Sequence, residues 1–185
     1  NVLGGSATST FLSNADGVNS TSGATLFDFS AFEGRIVDLA FDSNQLDATV
    51  TVKGAKAAGA TAATGDKITA VFGASQVLKV SDVETIATTF TAAATLDMTS
   101  VTGVNLVTVA SDATARVATL SGISSAVKVA VTANDDNEGI TIVASDKAGA
   151  ANTFALEVTA AIAAEDLNVD MEGIETLTIT NKAAN

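Results

Sequence analysis

The densest group of potential metal ligands in this chain is an acidic run between two predicted strands. It comprises Asp135, Asp136, Asn137 and Glu138. Carboxylate and amide oxygens are the ligands that Ca²⁺ prefers, and a turn can bring several of them around one ion. The spacing differs from that of an EF-hand, which requires a further Glu at a fixed interval. The sequence therefore predicts a calcium site at these four residues, and the competing interpretation is an ordinary acidic turn.

Two glutamates, Glu84 and Glu175, occupy the same place in a recurring phrase, directly before a Thr and an aliphatic residue. Paired carboxylates can act as acid and base in one site. Equivalent positions in stacked repeats more often share one structural task, such as bonding turn amides or a neighbouring coil. The chain has no His and no Cys, which excludes imidazole bases, thiol nucleophiles and the metal sites that depend on them. We therefore predict a structural role for both glutamates and no enzymatic activity.

The phrase that contains these glutamates begins with Gly or Asp, continues with a branched aliphatic residue, and ends in alternating aliphatic residues. Copies begin at Asp82, Gly103, Gly122 and Gly173. The first three are about 20 residues apart, a period that is typical of stacked β-structure. Short apolar runs separated by Gly, Ser, Asn and Asp predict strands and turns along most of the chain. Thr fills many polar positions, where its β-branched side chain suits a strand.

These patterns predict an all-β fold, a parallel β-helix or β-solenoid-like array with a β-rich N-terminal part. A β-sandwich is the alternative, because strands every eight to twelve residues or so would suit it as well. We divide the chain into a flexible arm or donated edge strand at residues 1–23, an N-terminal β segment at 24–65 and a repeat β-solenoid domain at 66–185. A boundary loop rich in Ala, Gly and Thr is predicted at residues 54–65.

Helical patterns are nearly absent. One or two helical turns are predicted for residues 159–166, where Ala is frequent, and a short helix at 32–41 is an alternative to a strand there. The chain holds no stretch that approaches the roughly 20 apolar residues of a membrane-spanning helix. We therefore expect no membrane insertion.

The charge of the chain limits its partners. Its net charge is −12 and its pI is about 4.1, which opposes binding to nucleic acid and to anionic lipid. Cationic partners are favoured, and Ca²⁺ is the candidate cofactor. A simpler interpretation is that the acidic excess keeps a surface rich in Thr and Ala soluble.

The recurring phrase resembles the coils of large bacterial surface proteins. The segments that carry this resemblance are Val83-Glu84-Thr85-Ile86, Asn152–Val158 and Gly173–Ile179, and the likeness covers residues 66–181. They are similar to S-layer proteins and RTX-related adhesins of Gram-negative bacteria that leave by type I secretion. This resemblance implies a β-helical domain, export, calcium-aided ordering and lateral self-assembly. The glycine-rich nonapeptide of calcium-binding β-rolls is missing, so the calcium sites of that family are not assigned to named residues.

We therefore expect an extracellular structural protein at the cell surface that assembles with copies of itself into a surface layer or filament. Its absence of a secretory signal at Asn1 agrees with export through a C-terminal address. Cell-surface polysaccharide is a further candidate partner. The alternative is an adhesin or phage-like fibre module that recognises a glycan or a cell surface, although the chain has no Trp or Tyr for a sugar platform.

Overall fold

The chain forms an all-β structure. A computed structural model describes residues 8–13, 25–31, 36–55, 65–111, 117–133, 139–145, 152–159 and 167–182. Within these ranges every regular element is a strand, and no helix occurs. The strands are β1 (Thr8–Ser13), β2 (Thr25–Asp28), β3 (Ile36–Phe41), β4 (Val50–Lys53), β5 (Lys67–Phe72), β6 (Gln76–Val77), β7 (Lys79–Ser81), β8 (Thr85–Phe90), β9 (Ala94–Asp97), β10 (Val101–Thr102), β11 (Leu106–Ser111), β12 (Val117–Ile123), β13 (Lys128–Ala133), β14 (Gly139–Ser145), β15 (Thr153–Val158), β16 (Leu167–Glu172) and β17 (Thr176–Asn181).

Three parallel sheets build a solenoid. Sheet A has eight strands in the order β1-β3-β5-β8-β11-β13-β15-β17, sheet B has four in the order β10-β7-β4-β2, and sheet C has five in the order β16-β14-β12-β9-β6. All strand pairs between the described residues are parallel, and each sheet keeps the chain order. This topology confirms the predicted β-solenoid over the alternative β-sandwich, whose sheets are antiparallel.

The cross-section of the solenoid changes along its axis. From β1 to β5 the chain alternates between sheets A and B, whereas the coils from β5 to β11 visit sheets A, C and B in turn. From β11 onwards the chain alternates between sheets A and C, and a turn at Ser124–Val127 returns it directly to sheet A. Sheet A is therefore the one wall that extends from the first described strand to the last.

The core consists of aliphatic columns that run along the axis, because like residues of successive coils lie side by side. In one column on sheet A, each residue lies opposite the next across six successive strand pairs, from β3 to β17. Its members are Leu39, Ile68, Ile86, Val107, Val129, Leu156 and Ile179. All but the last are buried. Phe72 and Phe90 stack in a neighbouring column, with ring centroids 5.9 Å apart.

Of the other predictions from the sequence, one is wrong and several concern residues outside the described ranges. The helix alternative at residues 32–41 is wrong for its described part, because β3 is a strand with alternating burial. The predicted helical turns and most of the boundary loop lie outside the described residues. The division into three segments stays a prediction. In the part of the chain that the structure describes, no helix is long and apolar enough to cross a membrane.

Candidate functional site: the corner carboxylates and the end coil

The four predicted calcium ligands, Asp135, Asp136, Asn137 and Glu138, lie outside the described residues. The calcium site therefore stays a prediction. Among the described residues, no group of three or more acidic side chains is arranged to hold a metal ion. The polar groups that the fold does bring together stand at one corner of the solenoid, where the chain enters sheet A.

Glu84 bonds to the preceding coil. Its Oε2 accepts a hydrogen bond of 2.6 Å from the amide of Asp66, which occupies the equivalent corner one coil earlier. The carbonyl of Glu84 in turn accepts bonds from the amides of Asn105 and Leu106 in the following coil. Glu84 therefore connects three successive coils through its side chain and its backbone.

Asp66 repeats this arrangement one coil nearer the N-terminus. Its Oδ1 accepts a bond of 2.8 Å from the amide of Val37, its counterpart on the preceding coil, and its Oδ2 accepts one of 2.5 Å from Ala55. The side chain is almost fully enclosed, with Asp66 only 2% exposed. Two backbone donors thus satisfy both oxygens of a buried carboxylate, as burial requires.

Glu175 makes the same bond at the other end of the solenoid. Its Oε2 accepts a hydrogen bond of 2.6 Å from the amide of Asn152. The carbonyl of Asn152 in turn accepts hydrogen bonds from the amides of Glu175 and Thr176. We call Asp66, Glu84 and Glu175 the corner carboxylates. Their bonds confirm that Glu84 and Glu175 tie neighbouring coils together. Asp66 was not among the residues predicted from the sequence.

The residue that opens each recurring phrase adopts a left-handed backbone. Asp82, Gly103, Gly122 and Gly173 have φ of 55°, 80°, 71° and 73°. Side chains other than those of Asn and Asp rarely tolerate this region, which explains why the phrase begins with Gly or Asp. The corner is also crowded, because a Cβ at Gly54 would overlap the carbonyl oxygen of Asp82.

Burial sets the electrostatics of this corner. It raises the pKa of Asp66 against the opposing effect of its two amide donors. Burial likewise raises the pKa of Glu84, the bond from the Asp66 amide lowers it, and the charges of Asp66 and Asp82 raise it further. A carboxylate that already accepts structural amides has fewer lone pairs left for a substrate or a metal ion. The arrangement therefore fits coil stacking better than proton transfer.

An ion cluster joins three neighbouring strands of sheet A nearer the C-terminus. Glu157 on β15 forms an ion pair with Lys128 of β13. Its Oε2 also lies 3.0 Å from Nζ of Lys182, which follows β17. The hydrogen bonds from Lys128 and then Lys182 lower the pKa of Glu157. Since the three residues belong to three successive coils, this cluster also links coils along the axis.

The last coil, β16 and β17, ends the described solenoid with part of its core uncovered. Ile179 is 59% exposed, although every earlier member of its column is buried. Five further aliphatic side chains of this coil are only partly buried against the core. We call these six residues the end face; they are Leu167, Val169, Met171, Ile174, Leu177 and Ile179.

The corner carboxylates bond backbone amides of neighbouring coils, and the end face consists of apolar side chains. Both are products of coil stacking, the first within the chain and the second at its last described coil. No protein-family model, no curated protein and no solved structure matches the chain.

Proposed function

We propose that this protein is a non-enzymatic structural protein of the cell surface that assembles with copies of itself into a layer or filament. One observation carries the proposal. Sheet A runs through the described chain from β1 to β17 as one continuous parallel wall, and an extended wall of this kind suits a building element.

The use of the recurring polar groups supports the same function. Glu84 and Glu175 each accept a hydrogen bond from a backbone amide of the preceding coil, so the carboxylates of the repeat stabilise the stacking of coils. Stacked-coil proteins typically work through the surfaces that stacking creates. A role as a building element therefore agrees with how these side chains are bonded.

Electron microscopy of the purified chain tests the proposal. We expect ordered sheets or filaments, and light scattering should report particles much larger than the 18.3 kDa chain. The measurement is made with millimolar Ca²⁺ and again with a chelator. A protein that stays monomeric under both conditions would contradict the proposal, and specific binding to a glycan array would then favour the adhesin-like alternative.

Calcium is part of the proposal through the acidic run at residues 134–138. Replacing Asp135 and Asp136 with Asn together should abolish any calcium-dependent gain in assembly, because Ca²⁺ binding depends on carboxylate charge. The matched control replaces Asp38 and Asp97 with Asn, which changes the net charge equally at other strands. Equal calcium responses in both double variants would remove residues 135 and 136 from the proposal.

A further inference from the structure

The chain passes from sheet B to sheet A at corners of unequal length. Residues 82–84 join β7 to β8, and residues 103–105 join β10 to β11. In both of these short corners the first residue has a left-handed backbone and the second is a buried valine, Val83 or Val104. The passage from β4 to β5 instead takes the thirteen residues 54–66, which is ten more than the three of a short corner.

The two residues that begin the long passage match the first two places of a short corner. The amide of Gly54 donates a hydrogen bond of 2.8 Å to the carbonyl of Ser81. One coil later, the amide of Asp82 donates the equivalent bond, of 3.1 Å, to the carbonyl of Thr102. Ala55 comes next and is 1% exposed, so it is as buried as the valines at the second place. The register of β4 with β7 gives the same alignment.

The last residue of the long passage matches the third place. Lys67 and Thr85 lie opposite each other in the register of β5 and β8, and Asp66 and Glu84 directly precede them. The carbonyl of Asp66 accepts a hydrogen bond of 3.0 Å from the amide of Thr85. The carbonyl of Glu84 accepts one of the same length from the amide of Leu106. The corner is therefore complete in residues 54, 55 and 66, and residues 56–65 are additional chain between its second and third places.

The carboxylate of Asp66 joins the second and third places of this interrupted corner. Its Oδ2 accepts the hydrogen bond of 2.5 Å from the amide of Ala55. In the corner at residues 82–84 a peptide bond joins the same two places, and the Glu84 carboxylate bonds the preceding coil. Asp66 makes that coil contact as well, through Oδ1 and the amide of Val37. One of its oxygens therefore serves coil stacking, and the other serves the corner itself.

We propose that residues 56–65 are an insertion into a three-residue corner, and that the Asp66 carboxylate closes the coil at the base of this insertion. A longer connection adds little closure entropy, whereas a break in the stacking of coils would expose the apolar core. The bond from Ala55 lets the chain carry the additional residues without interrupting sheet A or sheet B. The role of residues 56–65 is thus separable from coil stacking, and the inference does not depend on the proposed function.

Deletion of residues 56–65 tests the insertion. The shortened chain joins Ala55 directly to Asp66 and restores a three-residue corner. Gly54 has no positive φ in the full chain, and as a glycine it can adopt the left-handed backbone that Asp82 and Gly103 have at this place. We expect circular dichroism to keep its β signal and the urea midpoint to stay within about 0.5 M of that of the full chain.

The matched control deletes residues 54–63, which removes the same number of residues and the same lysine from the passage. It leaves Thr64 and Gly65 in the first two places. A β-branched residue disfavours a left-handed backbone, and a glycine lacks the methyl group that Ala55 buries. We expect a urea midpoint about 1 M or more below that of the 56–65 deletion. Equal midpoints would overturn the match between the two kinds of corner.

Asp66→Asn tests the closing bond. Asparagine offers one acceptor oxygen to the two amides that Asp66 bonds, so one amide loses its partner. We expect the urea midpoint of the full chain to fall by about 0.5–1 M. In the 56–65 deletion the peptide bond joins the two places, so the same substitution should cause a clearly smaller fall. Glu84→Gln is the matched control, because it should shift the midpoint equally in both backgrounds.

The outcomes bear on separate parts of the inference. A 56–65 deletion that loses its β signal or its cooperative unfolding overturns the insertion. Equal falls for Asp66→Asn in the two backgrounds overturn the closing role of this carboxylate. Either failure leaves the proposed function standing, since assembly into layers is measured on the full chain by microscopy. Failure of the full chain to assemble would likewise leave the insertion standing.

Discussion

Glu84 combines a structural hydrogen bond with a buried negative charge. The two contributions oppose each other, because the bond to the Asp66 amide stabilises the coil contact whereas burial beside Asp66 and Asp82 penalises the charge. Substitutions can separate them. Gln keeps an oxygen acceptor and removes the charge, and Ala removes both.

We expect Glu84→Ala to lower the free energy of unfolding by about 1–3 kcal/mol, because it leaves the Asp66 amide unsatisfied in a buried place. Glu84→Gln should stay within about 1 kcal/mol of the wild type at neutral pH, since it keeps the acceptor. Urea unfolding measures both. Glu175→Ala is the matched control, because Glu175 makes the same bond from an exposed position and its loss should cost below about 1 kcal/mol.

An unfolding free energy for Glu84→Ala equal to that of the wild type would contradict the structural role of the corner carboxylates. The role of Glu84 could be predicted from the sequence, because its phrase recurs at Glu175. Asp66 could not be found in this way, since the residues around it lack the Glu-Thr pair. Its function follows from register alone, which places it beside Glu84.

The elements of the fold depend on sharp corners between short strands. Gly103 has φ of 80°, and a Cβ there would stand 3.0 Å from the amide nitrogen of Asp82 on the preceding coil. Both the backbone conformation and the close contact therefore disfavour a side chain. Corners of this kind set the height and register of each coil.

We expect Gly103→Ala to cost about 1–2 kcal/mol for the left-handed backbone, with a further loss from the contact with Asp82. Thermal or urea unfolding measures the change. Gly139→Ala is the control, because Gly139 begins β14 without a positive φ. Equal effects of the two substitutions would show that the left-handed corner is not the cause.

Much of the element order could be predicted because the strands of sheet A repeat their apolar alternation. The change along the chain, from coils that pair sheet A with sheet B to coils that pair sheet A with sheet C, could not be predicted from the sequence. It depends on β6 and β10, which are two residues long and too short to show a period of two. The turn at residues 124–127 follows Gly122-Ile123, and the other Gly-Ile opening, at Gly173, also comes after a strand of sheet C. The openings at Asp82 and Gly103 come after strands of sheet B and have Val in the second place.

At the scale of the whole molecule, two buried groups respond to pH in opposite directions. The pKa of Glu84 is raised by burial, so its carboxyl favours the folded state in its protonated form. The pKa of Glu157 is lowered by Lys128 and Lys182, so its carboxylate favours the folded state when ionised. The solenoid thus contains one coil contact that weakens as pH rises and one that weakens as pH falls.

The sign of each effect follows from proton linkage. A raised folded pKa means that the native state binds more protons, so stability from Glu84 declines as pH rises from the ordinary Glu value through the raised one. A lowered folded pKa means the reverse for Glu157, whose contribution is complete above the ordinary Glu pKa and is lost as pH falls through the lowered one. Asp66, also raised, adds to the first effect.

Urea unfolding of Glu84→Gln and Glu157→Gln against the wild type, between about pH 2 and pH 7, isolates these contributions, because that of Glu157 is lost only below the ordinary Glu pKa of about 4.3. The stability of Glu84→Gln relative to the wild type should increase as pH rises, because only the wild type then has to bury a charge. The deficit of Glu157→Gln should be largest at neutral pH and shrink on acidification, because protonation removes the same ion pairs from the wild type. Each variant serves as the control for the other, since both exchange Glu for Gln on a solenoid of the same net charge. Two pH-independent differences would mean that neither contact is coupled to ionisation and would contradict the opposite pH responses expected from Glu84 and Glu157.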